Sequence, residues 1–245
     1  MTESDLIYRG IIIKQTNYGD AHRMLWIFTQ TDGIIKAVRY GVRGKKTSNA
    51  AAFQLFSYAD FKLRPSRGDV MTAVSADVID AFYPVSEDIK KLALVSYLAD
   101  ITYSMLGEAN PDSRVLALFL NSVYAAAYRD YSYIKIKTVY ELKLMCASGY
   151  MPRLSDCSVC GSVPQFFSTD KGMVLCREHH SAGDIKISTD TLSLMRYIIS
   201  CDDRKMLSFN LENTEILDEH NMITEQYVTA VCDKSFRSRD YFYSI

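Results

Sequence analysis

The sequence lacks the segments that place a protein in or across a membrane. No apolar run approaches the 18 residues of a membrane-spanning helix, and the acidic start, Met1-Thr-Glu-Ser-Asp5, has no apolar core of a secretory signal. Internal repeats and low-complexity linkers are also missing. Because 48% of the 245 residues are hydrophobic and 23% are charged, we expect a globular protein of one large or two small domains, with no membrane partner.

The motifs of common active sites are missing as well. There is no G-x-S-x-G nucleophile turn, no H-E-x-x-H motif and no H-x-E of the zinc deaminases. A glycine- and lysine-rich stretch from Gly41 to Lys46 resembles a phosphate loop only superficially. Arg39 stands where the first glycine of that loop is required, and Lys46 stands where serine or threonine is required. We therefore expect no catalytic residues and no enzymatic activity.

A metal-binding pattern is present between residues 157 and 179. The spacing C-x2-C-x15-C-x2-H is formed by Cys157, Cys160, Cys176 and His179. Two such turns can close a tetrahedron of sulfur and nitrogen around Zn²⁺, and four protein ligands leave no open position for chemistry. We predict one structural zinc per chain, tied to a short hairpin, with His180 as the alternative fourth ligand. Cysteines in a metal-type spacing also indicate a reducing compartment.

Hydrophobic alternation from residue 6 to about 80 predicts five strands. They are expected at 8–16, 23–29, 34–42, 56–64 and 70–78, and Gly33 is expected in a left-handed turn conformation. Five short strands without intervening helices fit an OB-fold barrel. An SH3-like barrel is the alternative, because periodicity does not separate the two. We assign residues 1–80 to this barrel as a nucleic-acid-binding domain.

Near Pro84 the hydrophobic period becomes helical. Ser86 is the predicted N-cap of a helix that ends at Gly107, and Asn110 is the predicted N-cap of the next helix. Further helices are expected at 131–148, 192–200 and 213–236, and the tail from 238 to 245 is expected to be poorly fixed. The predicted fold is therefore α+β, with the barrel, a helical domain at 81–245 and a zinc-binding insertion at 151–185 within it.

Positive charge is concentrated in the barrel, although the whole chain has a net charge of −1. Between residues 34 and 67, Asp60 is the only acid, and the basic residues are Lys36, Arg39, Arg43, Lys45, Lys46, Lys62, Arg64 and Arg67. Alternation in the fourth strand puts Tyr58 on the face of Lys62 and Arg64, where a ring and cations can bind bases and phosphates. We predict that Tyr58 and the eight basic residues bind nucleic acid. A solvated basic face is the alternative, and Tyr18 is a further stacking candidate.

Several motifs resemble the bacterial RecO recombination-mediator family. Its opening strand, Tyr-Gly-Glu turn, Leu-x-x-Phe-Thr strand and Gly-Lys-x-x-x-Val strand are similar to three stretches here: Gly10-Ile-Ile-Ile-Lys-Gln-Thr-Asn-Tyr-Gly-Asp20, Leu25-Trp-Ile-Phe-Thr29 and Gly33-Ile-Ile-Lys-Ala-Val38. The family's entry to its zinc site is similar to Met151-Pro-Arg-Leu-x-x-Cys157-x-x-Cys160-Gly161. The order of barrel, helices, zinc insertion and helices matches over nearly the whole chain. The family's last ligand is usually cysteine, and here it is His179.

The resemblance implies an OB-fold with a helical domain and a cytoplasmic role in DNA repair, associated with the nucleoid during repair. It also implies binding of single- and double-stranded DNA, strand annealing, and loading of RecA together with RecR on DNA coated by single-stranded-DNA-binding protein. RecR, RecA and single-stranded-DNA-binding protein are thus the expected protein partners. A zinc-containing protein–protein adaptor without direct DNA binding is the alternative function.

Overall fold

The structure, a computed structural model, describes residues 5–41, 50–66, 68–211 and 213–245. The chain divides into two compact units, Met1–Ala117 and Leu118–Ile245. The first contains a β-barrel and the helices that directly follow it, and the second contains helices and a small sheet. Within the described ranges, no helix is both long and apolar enough to cross a bilayer.

The barrel is built from five strands: β1 (Leu6–Tyr18), β2 (His22–Thr29), β3 (Ile34–Arg39), β4 (Tyr58–Arg64) and β5 (Val70–Asp80). They close in the order β1-β2-β3-β5-β4, with β3 parallel to β5 and β4 antiparallel to β1. Gly33 adopts the predicted left-handed conformation with a φ of 67°, and a Cβ there would lie 2.5 Å from the backbone of Asn110. The predicted OB-like barrel is confirmed.

Strand β4 shows how the sequence builds the barrel core. Every second residue is fully buried, namely Ala59, Phe61 and Leu63. Phe56 differs from its prediction as a strand residue, because it is buried before the strand with a left-handed φ of 66°. Its N–H donates to the carbonyl of Ile12 at 2.8 Å, so the chain turns into the barrel here and β4 begins at Tyr58.

Two predicted N-caps are wrong by two residues. Helix α2 (Ile89–Leu106), which follows the short α1 (Tyr83–Glu87), is capped by Asp88 and not by Ser86. Helix α3 (Ser113–Tyr128) is preceded by Asp112, whose carboxylate accepts the N–H of Arg114 at 2.9 Å, whereas Asn110 was expected. In both places a charged carboxylate accepts the free N–H groups of the first turn more strongly than a neutral side chain. Gly107 is the C-cap of α2 and terminates the helix as predicted.

The second unit contains α4 (Tyr133–Ala147), α5 (Thr189–Ser200), α6 (Thr214–Cys232) and α7 (Arg237–Ser244). Between α4 and α5 lies a sheet of β6 (Phe166–Ser168), β7 (Met173–Leu175) and β8 (Ile185–Lys186), in the order β7-β6-β8. The expectation that the tail from 238 to 245 is poorly fixed is wrong. The tail is helical, Phe242 is buried, and Arg239 Nη1 donates to Thr229 Oγ1 at 2.9 Å.

The change from strand to helix falls between Asp80 and Tyr83, where the hydrophobic period of the sequence changes. The assignment of domains to 1–80 and 81–245, with an insertion at 151–185, stays a prediction.

Candidate metal centre and nucleic-acid interface

Two tight turns bring the four predicted metal ligands together. In the first, the N–H of Gly161 donates to the carbonyl of Cys157 at 2.8 Å, and Gly161 has a φ of 75°. In the second, the N–H of His179 donates to the carbonyl of Cys176 at 3.1 Å. Strands β6 and β7 form the predicted hairpin between the turns, and Gly172 in its connection has a φ of 58°.

The four ligand atoms lie close enough together to share one ion. Nδ1 of His179 lies 3.3 Å from Cys176 Sγ and 3.8 Å from Cys157 Sγ, and the Sγ atoms of Cys160 and Cys176 are 3.7 Å apart. Zinc–sulfur and zinc–nitrogen bond lengths imply tetrahedral edges of about 3.6 to 3.8 Å. All four ligand atoms lie within 4.8 Å of one another, so this set can hold a metal ion. Three thiolates and one imidazole are a donor set that zinc accepts.

His180 lies outside this cluster. Its ring stacks on Phe166 with centroids 3.8 Å apart and planes 8° from parallel. Its Nδ1 lies 3.2 Å from the carbonyl oxygen of Ser181. Of the two candidate fourth ligands, His179 is therefore the one that faces the three cysteines.

The backbone prepares Cys157 for metal binding. Burial raises the pKa of this thiol, but the N–H groups of Val159, Cys160 and Cys176 outweigh burial, and the pKa falls to about 6. The thiolate is the form that binds metals. The turn that contains Gly161 thus brings the N–H groups of Val159 and Cys160 to the sulfur.

The hairpin is fastened to α6 of the same unit through Tyr227. The Phe167 ring meets the Tyr227 ring edge to face at 5.5 Å, and the Tyr227 hydroxyl donates to the carbonyl of Tyr150 at 2.8 Å. A Cβ on Gly172 would lie 2.5 Å from that hydroxyl oxygen, and the positive φ of this residue also favours glycine. The four predicted ligands therefore lie beside a hairpin that is packed against a helix of the same unit.

Of the nine residues predicted to bind DNA, the structure describes Lys36, Arg39, Tyr58, Lys62 and Arg64. The other four lie outside the described residues, namely Arg43, Lys45, Lys46 and Arg67. On β4, Lys62 and Arg64 are exposed and Tyr58 is partly buried, and the three alternate with the core residues as predicted.

Carboxylates accompany the cations of this surface. Asp5 lies between two of them, with Oδ1 2.8 Å from Arg64 Nε and Oδ2 3.3 Å from Lys62 Nζ. Lys36 Nζ lies 2.7 Å from Glu108 Oε1. Hydrogen bonding from Arg64, and then from Lys62, holds the pKa of Asp5 below its usual value. These pairs offset part of the positive charge that the local sequence suggests.

The guanidinium group of Arg39 contacts two backbone carbonyls of β5 and the ring of Phe53. Its Nη1 donates to the carbonyls of Ala73 at 3.1 Å and Val74 at 2.8 Å. Its guanidinium carbon lies 4.5 Å from the centre of the Phe53 ring. The structure thus gives Arg39 a part in closing the barrel that its sequence did not indicate, and DNA binding by Arg39 stays a prediction.

An aromatic cluster lies at the turn between β1 and β2. His22 and Tyr40 meet edge to face at 4.8 Å, and His22 Nδ1 accepts the N–H of Gly41 at 3.2 Å. Tyr18 is 49% exposed and Tyr40 is 52% exposed. The β1–β2 loop and strands 2 and 3 are the surface with which OB-folds bind oligonucleotides. His22 belongs to no sequence motif, so the sequence does not identify it as a binding residue. Its place beside Tyr18 follows only from the pairing of β1 with β2.

Comparison with known proteins shows which protein family is similar to this chain. The model of the recombination protein O N terminal region matches residues 1–82, and that of its C terminal region matches residues 86–240. The DNA repair protein RecO of Acetivibrio thermocellus is 33% identical over 237 residues, which cover 95% of this chain and 94% of that protein. The protein of the same name from Alkaliphilus metalliredigens is 29% identical over 92% of this chain and 93% of its own length. That of Oceanobacillus iheyensis is 32% identical over 85% and 82%, respectively.

Proposed function

The chain belongs to the RecO family of DNA repair proteins, and we propose that it works in recombinational repair by binding DNA with its barrel. Single- and double-stranded DNA are the proposed ligands, and annealing of complementary strands is the proposed activity. Together with RecR, the protein would help to load RecA on DNA coated by single-stranded-DNA-binding protein. These three proteins are the proposed partners, and the cytoplasm, with association to the nucleoid, is the proposed location.

One observation supports DNA binding most directly. Tyr18, His22 and Tyr40 present rings at the β1–β2 end of an OB-like barrel that also carries Lys62 and Arg64. Aromatic faces hold bases and cations hold phosphates, and both are needed to bind a single strand without regard to sequence. Such binding needs no covalent step, so we propose that the protein is not an enzyme.

We propose that Cys157, Cys160, Cys176 and His179 hold one structural Zn²⁺ per chain. When bound, the ion would crosslink the two turns of the hairpin. Phe167 and Gly172 would hold the crosslinked hairpin in place, because they pack it against Tyr227. The ion takes no part in any reaction under this proposal.

An adaptor that only holds other proteins is the second candidate function. It is favoured by the apolar side chains of Val159 and Val163 near the metal centre, which are 63% and 76% exposed. The two functions differ in the role of Tyr40. DNA binding by the barrel would use its ring to stack on a base, whereas an adaptor needs no DNA contact from it.

Fluorescence anisotropy with a mixed-sequence single strand separates the candidates. Base stacking on an aromatic ring is worth about 1–3 kcal/mol per base, so Tyr40→Ala is expected to weaken binding about 5- to 150-fold. Tyr83→Ala is the matched control, because Tyr83 is an equally exposed tyrosine, at 50%, on α1 of the same unit. Tyr18→Ala is the second test variant. If both test variants bind like the control, stacking at this end of the barrel is refuted.

A further inference from the structure

Asp5 occupies the two cations of β4, Lys62 and Arg64, that would bind a DNA phosphate if this strand contacts DNA. Its two carboxylate oxygens reach different cations, Arg64 Nε at 2.8 Å and Lys62 Nζ at 3.3 Å. A guanidinium and an ammonium that share one anion in this way form the donor set that also suits a phosphate group. In the free protein, that set is already occupied by a side chain of the same polypeptide.

Glu108 repeats this arrangement on a different part of the barrel. Its Oε1 lies 2.7 Å from Lys36 Nζ and also accepts the hydroxyl of Tyr103 at 2.7 Å. Lys14 adds a second positive charge nearby, with its Nζ 5.4 Å from the centre of the Tyr103 ring. Glu108 is again an anion held by the groups that a phosphate would use.

We propose that Asp5 and Glu108 act as intramolecular competitors of DNA phosphates and thereby limit the affinity of the barrel for DNA. The inference rests on the proposed DNA binding and concerns its regulation. The side chain of Glu108 is 41% exposed, so rotation of side chains is enough to release Lys36, whereas that of Asp5 is 16% exposed between two exposed cations. DNA binding is then an exchange of one anion for another at each cation.

The size of the effect follows from the strength of exposed ion pairs. Such a pair changes an equilibrium by about 1.4- to 5-fold. Removing one competing carboxylate should therefore tighten DNA binding by about that factor, and removing both should tighten it by about 2- to 25-fold, since the two sites share no residue. The gain should shrink as salt rises, because salt screens the exposed pair that is being removed.

A double-mutant cycle on the full-length protein tests the competition directly. Glu108→Gln keeps an oxygen that can accept the Tyr103 hydroxyl and removes only the charge. We expect it to tighten binding to a single-stranded oligonucleotide in the wild-type background, and to lose most of that gain in a Lys36→Ala background. Asp77→Asn is the control for net charge, because Asp77 is an exposed acid on β5 that forms no ion pair with a described residue. It should have less effect than Glu108→Gln.

The outcomes distinguish this inference from the proposed function. A wild-type protein that does not bind DNA contradicts the proposed function. A wild-type protein that binds, with Glu108→Gln no tighter than Asp77→Asn, overturns the inference alone. If thermal unfolding shows that Glu108→Gln is misfolded, the same cycle is run with Asp5→Asn in the wild-type background and in a background that lacks both of its cations, Lys62→Ala with Arg64→Ala. Equal gains in those two backgrounds would also overturn it.

Discussion

The ammonium group of Lys137 lies 2.9 Å from a carboxylate oxygen of Glu141, one helical turn away, and both side chains are fully buried in the helical unit. Glu225 and Asn221 on α6 also lie close to the Lys137 ammonium group, with side-chain oxygens at 2.7 and 2.9 Å. Buried charges are tolerated only when they are paired and hydrogen-bonded. This cluster therefore links α4 to α6 in one specific arrangement.

Lys137→Met should destabilise the protein strongly, because it leaves the Glu141 carboxylate buried without its cation. The expected loss is about 3–5 kcal/mol in the free energy of unfolding, measured by urea denaturation at neutral pH. Lys205→Met is the control, since Lys205 is exposed, and it should change stability by less than about 0.5 kcal/mol. Equal stability of the two variants would show that the buried cluster contributes nothing.

His220 should make stability depend on pH. It is fully buried, and burial, followed by the charge of Lys137, lowers its pKa to about 3. Because its folded pKa lies below the usual 6.5, the unfolded chain takes up the proton first. The stability contribution is complete above pH 6.5 and is lost as pH falls from there towards 3.

Urea denaturation at pH 7 and pH 5 checks this prediction. The wild type should lose about 2 kcal/mol more than His220→Asn between these values, because each pH unit is worth about 1.4 kcal/mol for one proton. Asparagine can still hydrogen-bond with Thr138, which lies 3.0 Å from His220 Nδ1. If both proteins lose the same unfolding free energy between pH 7 and pH 5, the loss comes from other groups and the prediction for His220 is wrong.

Loss of a metal ligand should unfold the hairpin while the barrel stays intact. Cys176→Ser is expected to lower the zinc content, measured by elemental analysis, and to lower the melting temperature, because metal binding contributes folding free energy to such a small unit. His179→Ala should have the same effect and His180→Ala should not. A protein with no zinc after purification without chelators contradicts the metal assignment, and retention of zinc by His179→Ala contradicts only the choice of the fourth ligand.

Patterns that repeat within a few residues could be predicted from the sequence. The alternation around Phe61 identified the inner face of β4, and the spacing from Cys157 to His179 identified the ligands that meet in space. Contacts between distant residues could not be predicted in this way. Arg64 and Asp5 are 59 residues apart and meet only because β1 pairs with β4. The carbonyls that hold Arg39 likewise come from another strand, β5.

Lys45 and Lys46, which lie outside the described residues, remain predicted phosphate contacts. Each contact with a single strand contributes about −0.7 to the slope of log affinity against log salt. Changing both residues to alanine should therefore flatten the slope by about 1.4. Tyr58→Ala is the contrasting variant, because loss of stacking should weaken binding with little change in slope. Identical slopes for the wild type and the double variant would remove Lys45 and Lys46 from the interface.

DNA binding by the barrel is tested most directly by one measurement, the salt dependence of wild-type affinity for a mixed-sequence single strand by fluorescence anisotropy. Four to six phosphate contacts predict a slope of roughly −3 to −4 between log affinity and log salt. A slope near zero, or no binding at low salt, would contradict DNA binding by the barrel and favour the adaptor.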